Sequence, residues 1–399
     1  MVASSGKDLP WLKVVAEISR WKAMVAMRRH SRNKLKLCVV CNGNDLIQMD
    51  FLNSFLNLIL PPISLTAFFF FLPIYLFFKS LSFITSSIFS EDVAGKVVLI
   101  TGASSGIGEH LAYEYAKRGA YLALVARREN RLQEVAAVAE SIGSPYALVI
   151  PADISKVEDC KRCIQTTVTH FRRLDHLVNN AGVSSINLFE EYDNLQNAVP
   201  VMDVNFWGMV YCSYYGIPHL KQSRGKIIGI ASAAAWLPAP RLSFYTSSKA
   251  AVISFYETLR VEVGREIGIT IVTPGLVESE MTQGKFMSKD GRLYLDKQLR
   301  DATVSIMPIM PINDAVKGIL RSVCRGDRYA TEPRWMRMAF YYKTVWPELV
   351  EWFNYLVTMS GSSNSPTNTF GKRLLQLSGL KKWFYPESVR SQQLDLKSN

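Results

Sequence analysis

Cysteine is scarce, six in 399 residues, and a chain this long can bury an adequate core without covalent staples, which argues against a disulfide-held secreted scaffold. Basic charge is not gathered on a recognisable nucleic-acid module. Of the net +12, half falls in the first 48 residues, which hold nine Lys/Arg against three Asp/Glu, so no nucleic-acid partner is expected. A secretory signal peptide fits poorly, because the apolar run begins about 50 residues in and no small-residue cleavage site follows it. With 48% apolar and 20% charged residues, the composition lacks the bias of a disordered or fibrous chain.

Charge is missing altogether between Asp50 and Lys79, 28 residues that include Phe68 to Phe71 and Phe77 to Phe78. As one helix this stretch would rise about 42 Å, enough for a hydrocarbon core of about 30 Å. Pro61, Pro62 and Pro73 oppose a straight span, since an interior proline costs about 3 kcal/mol, and a kinked or re-entrant hairpin competes. Either form predicts a membrane or lipid-droplet anchor over 49–90.

In the leader, residues 1–48, Val14, Ile18, Trp21 and Val25 recur at helical spacing among cations. That is the pattern of an interfacial helix or a transit peptide. Met49 directly before the anchor is an alternative start, in which case the leader is an extension without a role. Cys38 and Cys41, like Cys160 and Cys163, have the C-x-x-C spacing; for the second pair, on an amphipathic helix, buried thiols are the better reading, and no metal site is expected.

From Lys96 the chain alternates Val/Ile/Leu strands with helices: KVVLITG, AYLALVAR, ALVI, DHLVNN, KIIGIAS and ITIVTPG. Continuous apolar strands separated by helices predict an α/β fold, a doubly wound parallel sheet covered on both faces, over about 91–330. An aromatic-rich extension, 331–399, follows. Ligands of such sheets lie at the carboxyl ends of the strands.

There the first strand runs into Thr101-Gly-Ala-Ser-Ser-Gly-Ile-Gly108, where Gly102, Gly106 and Gly108 let the backbone approach a pyrophosphate at a helix amino terminus. The second strand ends in Arg127 and Arg128, at the place where an acid would hold a ribose 2′-hydroxyl. Two cations there suit a 2′-phosphate, hence NADP(H). Farther on, Tyr245 and Lys249 are four residues apart on one helical face, Ser232 ends a strand thirteen residues earlier, and Asn205 lies on the preceding helix.

These four residues, the glycine loop and Asn179-Asn-Ala-Gly182 together resemble the short-chain dehydrogenase/reductase family over about 95–280. The resemblance implies a seven-stranded sheet and hydride transfer at a nicotinamide. It implies that Tyr245 is the acid/base, that Lys249 eases ionisation of the phenol and grips ribose hydroxyls, that Ser232 binds the substrate oxygen, and that Asn205 holds a proton-feeding water. It further implies cofactor contacts from Ser104, Ser105 and Ile107 in the loop, from Asp153 to the adenine, from Asn180 to the adjacent ribose, and from Ser279 to the carboxamide or phosphates. Chemistry needs these types, because a ketone reduced by hydride leaves an alkoxide that must be protonated, and tyrosine, near pKa 10, needs a neighbouring cation to act as base in reverse.

The anchor, Ser90-Glu-Asp-Val-Ala-Gly, Ala234-Ala-Trp-Leu-Pro-Ala-Pro and the late Tyr385-Pro-Glu-Ser388 are more narrowly similar to the plant steroleosins, hydroxysteroid dehydrogenase-like proteins of oil bodies. That resemblance implies sterol-like substrates, a proline knob in the droplet or endoplasmic reticulum surface, a cytosolic catalytic body and a possible homodimer. A sterol-binding coat protein without catalysis and a reductase of other lipophilic carbonyls are the alternatives. The aromatic segment around Trp335, Trp346 and Trp352 reads first as core packing, with a substrate lid and a membrane-resting surface as its rivals.

Overall fold

A computed structural model describes residues 43–359, 368–377 and 379–390. The expectations for most of the leader, including Cys38 and Cys41, lie outside these. The chain falls into two compact units, 1–82 and 83–399.

Helix α1 (Gly43–Ile88) runs 46 residues with Pro61, Pro62 and Pro73 inside it, so the chain does not turn back as a hairpin. Each proline deletes one main-chain donor, leaving the carbonyls of Asn57, Leu58 and Phe69 without their usual partners, a local loss that the surrounding turns outweigh. From Phe51 to Ile88 the helix is long and apolar enough to cross a membrane. Its phenylalanine run stands in the open: Phe68, Phe69, Phe70 and Phe71 are 63%, 76%, 66% and 67% exposed.

In the second unit, β1 (Val97–Thr101), β2 (Tyr121–Ala126), β3 (Ala147–Pro151), β4 (His176–Asn179), β5 (Lys226–Ile230) and β6 (Gly268–Val272) are joined by α2 (Gly106–Ala116), α3 (Glu129–Ser141), α4 (Val157–Phe171), α5 (Val199–Met202), α6 (Gly208–Ser223) and α7 (Ser243–Glu262). A hairpin, β7 (Lys285–Met287) with β8 (Leu293–Leu295), then α8 (Lys297–Val304) and α9 (Ile312–Arg325) precede β9 (Tyr329–Ala330). The seven-stranded sheet has the order β3-β2-β1-β4-β5-β6-β9, every pair parallel. Strand order reverses at β1, which lies between β2 and β4, and the crevice there is where doubly wound sheets bind ligands.

Alternation along the strands splits the core in two. Val98 and Ile100 face α2 and α9, packing with Leu111, Tyr115, Val316 and Ile319. Leu99 faces α4, α6 and α7, packing with Cys160, Cys163, Ile164, Cys212 and Tyr256. Burial pushes the Cys163 thiol up to about 12, so this second C-x-x-C pair consists of core thiols.

One contact sets the height of α7 above the sheet. A Cβ on Gly229 of β5 would come within 2.6 Å of Cδ2 of Tyr256, so only glycine lets that ring lie on the strand. The Tyr256 hydroxyl accepts from Asn179 Nδ2 at 2.8 Å and pairs with Ser213 at 3.1 Å, tying α7 to β4 and α6. Between α5 and α6, Asp203–Trp207 forms a single π turn, a local widening that such helices often carry at functional positions.

Candidate active site

The crevice is built by the ends of β1, β2, β4, β5 and β6. After β1 the loop turns at Gly102 with φ +68, and a Cβ there would lie 2.7 Å from the Ala181 Cα. A Cβ at Gly108 would collide with the Gly102 carbonyl, and one at Gly106 would sit 3.4 Å from the Ser279 Cβ. Gly102 and Gly108 of this cradle thus have no room for a side chain, while Gly106 is held to glycine by its φ of +59. Ser105 is the N-cap residue of α2, yet its side chain does not cap the helix, which leaves first-turn amides for an anion. Thr101 Oγ1 accepts from the amides of Asn180 and Ala181 at 3.0 and 3.2 Å and so sets the floor of the cradle. These features fit a dinucleotide pyrophosphate.

Asn180 is partly engaged by the loop itself. Its Nδ2 donates to the Thr101 and Gly102 carbonyls at 2.9 and 3.3 Å, so the amide nitrogen braces the loop and only Oδ1 is left toward a ribose. Asp153 likewise spends Oδ1 on the amide and hydroxyl of Ser155, at 3.1 and 2.8 Å. Of the two arginines, Arg128 faces the loop: Nη2 donates to Ser104 Oγ and Ser105 Oγ at 3.1 and 2.8 Å. Arg127 is exposed, with no hydrogen bond or ion pair from its side chain among the described residues.

Opposite the cradle, α7 presents Tyr245 and Lys249 on one face. Lys249 is 3% exposed, its Nζ donates to the Ile230 carbonyl at 2.9 Å, and the same Nζ lies 6.0 Å from the Tyr245 ring centre. Burial draws the Lys249 pKa down from 10.5 to about 7. Tyr245 stays partly accessible and is hydrogen-bonded to Ser232. Burial raises its pKa and the Ser232 bond only partly offsets this, so the chain without a nicotinamide keeps the phenol protonated. Ser232 Oγ accepts from the Ala234 amide at 3.1 Å, which fixes its rotamer.

Asn205 lies in the π turn with every side-chain atom engaged. Oδ1 accepts from the Val183 amide at 2.8 Å, while Nδ2 donates to the Val183 carbonyl and to Ser248 Oγ, both at 2.9 Å. The side chain locks the Val183 loop to α7 and keeps only the second lone pair of Oδ1 for a water. Ser248, which donates onward to the Tyr245 carbonyl at 2.7 Å, was missed from sequence although it lies within the Tyr-x-x-x-Lys spacing. At Gly182, a Cβ would stand 3.2 Å from Asn205 Oδ1 and 3.3 Å from Lys249 Nζ, so both polar groups converge on that glycine.

The chain after β6 also reaches the site. Met336 Cγ would lie 2.8 Å from a Cβ on Gly275, and Phe340 of α10 (Arg337–Val345) stacks edge-on against Trp236, four residues past Ser232, with centres 5.3 Å apart. Phe244, next to Tyr245, packs against Phe189 and Tyr192 at 6.0 and 5.2 Å. From the C-terminal segment, the Tyr385 hydroxyl donates to the Ser305 carbonyl at 3.0 Å and the Ser388 hydroxyl meets Glu278, one residue before Ser279.

The profile of a family described as "short chain dehydrogenase" matches residues 96–290. The chain is 50% identical to "11-beta-hydroxysteroid dehydrogenase 1A" of Arabidopsis thaliana over 346 residues, which cover 87% of this chain and 99% of that protein. It is 52% identical to "11-beta-hydroxysteroid dehydrogenase A" of Arachis hypogaea over 343 residues, 86% of this chain and 98% of the other. Among solved structures, a short-chain dehydrogenase/reductase from Burkholderia phymatum in complex with NAD shares the fold with a TM-score of 0.58 at 23% identity, covering 65% of this chain and 96% of that one. A short-chain dehydrogenase from Burkholderia cenocepacia in complex with NADP gives a TM-score of 0.54 at 22% identity, covering 66% and 98%.

Proposed function

The chain belongs to the short-chain dehydrogenase/reductase family, oxidoreductases acting on CH–OH groups, and from that premise we propose that it is a membrane- or lipid-droplet-anchored, NADP-dependent enzyme interconverting hydroxyl and keto groups on sterol-like substrates. The observation that carries the reading is the convergence of Tyr245, Ser232 and Lys249 at the carboxyl ends of the strands, beside a loop in which Gly102 and Gly108 admit no side chain. Gly102, Gly106, Ile107 and Gly108 with Ser279 would hold the pyrophosphate and carboxamide end of a dinucleotide. Arg128 with Ser104 and Ser105 would take the 2′-phosphate, with Arg127 adding long-range positive charge and Asp153 and Asn180 Oδ1 bordering the adenosine.

A bound nicotinamide supplies or accepts the hydride. In the reductive sense Ser232 donates a hydrogen bond to the substrate carbonyl oxygen, and Tyr245 passes its phenolic proton to that oxygen as negative charge develops. The protonated phenol of the chain alone is suited to this direction. Lys249 then returns a proton to the phenolate, helped by its closeness to neutral pKa. A water on that route would rest between Lys249 Nζ and the second lone pair of Asn205 Oδ1, both of which border Gly182. In oxidation the same groups act in reverse.

The names of the relatives support a hydroxysteroid, as do two aromatic clusters next in sequence to the catalytic residues, Phe244 with Phe189 and Tyr192 beside Tyr245, and Trp236 with Phe340 after Ser232. The apolar helix from Phe51 to Ile88 supports the anchor, and exposed Trp346, Trp352 and Trp383 suit a lipid headgroup layer. The full chain in detergent is expected to oxidise NADPH when given a ketosteroid, with Tyr245→Phe lowering kcat at least about a thousandfold while NADPH still binds. Steroid binding without turnover in both proteins would favour the non-catalytic coat protein, and turnover of fatty or phenolic carbonyls alone would reassign the substrate.

A further inference from the structure

The guanidinium assigned above to a 2′-phosphate already has an anion against it. Arg128 Nη1, the nitrogen that Ser104 and Ser105 leave free, donates to Glu280 Oε1 at 2.9 Å. The second oxygen, Oε2, accepts from Lys285 Nζ of β7 at 3.1 Å. Burial raises the Glu280 pKa, but the hydrogen bonds and charges of Arg128 and Lys285 outweigh it, so the carboxylate is ionised throughout the neutral range. With Arg128 and Glu280 26% and 38% exposed, the pair adds little to folding, and its place beside the cradle is what needs explaining.

We infer that Glu280 is a specificity-determining residue that competes with the 2′-phosphate of NADP(H) for Arg128, moderating the preference over NAD(H), and that Lys285 retains the carboxylate once phosphate displaces it. The inference rests on the NADP reading. The guanidinium has donors enough for both anions, but a phosphate taken on its Ser104/Ser105 edge stands within a few ångströms of the Glu280 carboxylate, and that repulsion is relieved by loosening the Arg128–Glu280 pair. NAD(H) carries a neutral hydroxyl at that place and leaves the pair intact. The cost therefore falls on one cofactor only, and it speeds release of the phosphorylated one, a step that limits turnover in many enzymes.

Calorimetric titration of the full chain in detergent with NADP⁺ and NAD⁺ tests this. Glu280→Gln is expected to tighten NADP⁺ by about three- to tenfold with NAD⁺ unchanged, and the gain should vanish when Arg128→Gln is added. Lys285→Gln, which leaves Glu280 wholly to Arg128, should weaken NADP⁺, and a residue with only a structural role would not split the two cofactors in this way. If Glu280→Gln left NADP⁺ affinity unchanged or lowered it while Arg128→Gln still eroded the preference, the competition would be refuted and the clamp would stand. If Arg128→Gln left the preference intact, the clamp itself would be wrong.

Discussion

Replacing Lys249 by methionine exchanges a buried ammonium for an uncharged chain of similar length, and the outcome can be worked out from its surroundings. Nζ has one protein partner, the Ile230 carbonyl at 2.9 Å, and the residue is 3% exposed. Its pKa falls from 10.5 to about 7 on folding, so between those values the unfolded chain binds the extra proton and the native chain does not. Native stability therefore rises with pH across that window, by about 1.4 kcal/mol per pH unit, and the penalty of roughly 4–5 kcal/mol is complete below pH 7. Lys249→Met removes the penalty but strands the Ile230 carbonyl, a cost of about 1–3 kcal/mol that does not depend on pH. In urea unfolding of the cofactor-free chain, followed by tryptophan fluorescence, the variant should gain most over the parent near pH 7. The gap should close, and can reverse sign, toward pH 10, while turnover is lost throughout. Two stability curves running parallel from pH 7 to 10 would refute the burial of a titrating ammonium at this site.

Gly229→Ala should destabilise the body by about 1–3 kcal/mol, because the new methyl meets the Tyr256 ring and lifts α7 from the sheet. Turnover should fall with it, and unchanged unfolding together with unchanged kcat would show that α7 is positioned otherwise. Deleting residues 51–88 should move the chain from the membrane pellet to the supernatant on cell fractionation, and retention in the pellet would mean that α1 is not the anchor.

Much of the fold is legible in sequence because a parallel sheet covered on both faces needs uninterrupted apolar strands. The runs at Val97–Thr101 and Tyr121–Ala126 announce this without help from distant residues. Tyr245 and Lys249 are legible for the same local reason, being one turn apart. What sequence hides is set by tertiary approach. Glu280 meets Arg128 across 152 positions, and the Asn205 side chain is tied to Val183, 22 residues earlier, which no spacing rule anticipates. The acidity of Tyr245 follows from burial that a linear reading cannot measure. The three prolines mislead in the other direction, since a propensity penalty is local and a helix of 46 residues absorbs it.

The far end of the polypeptide is stitched to its working centre. With the Tyr385 hydroxyl on the Ser305 carbonyl and Ser388 on Glu278, beside Ser279, the last described helix braces the wall that closes over the glycine loop. Cropping the tail would loosen the dinucleotide pocket from behind, so any tag or fusion partner is better carried beyond residue 390 than spliced in ahead of it.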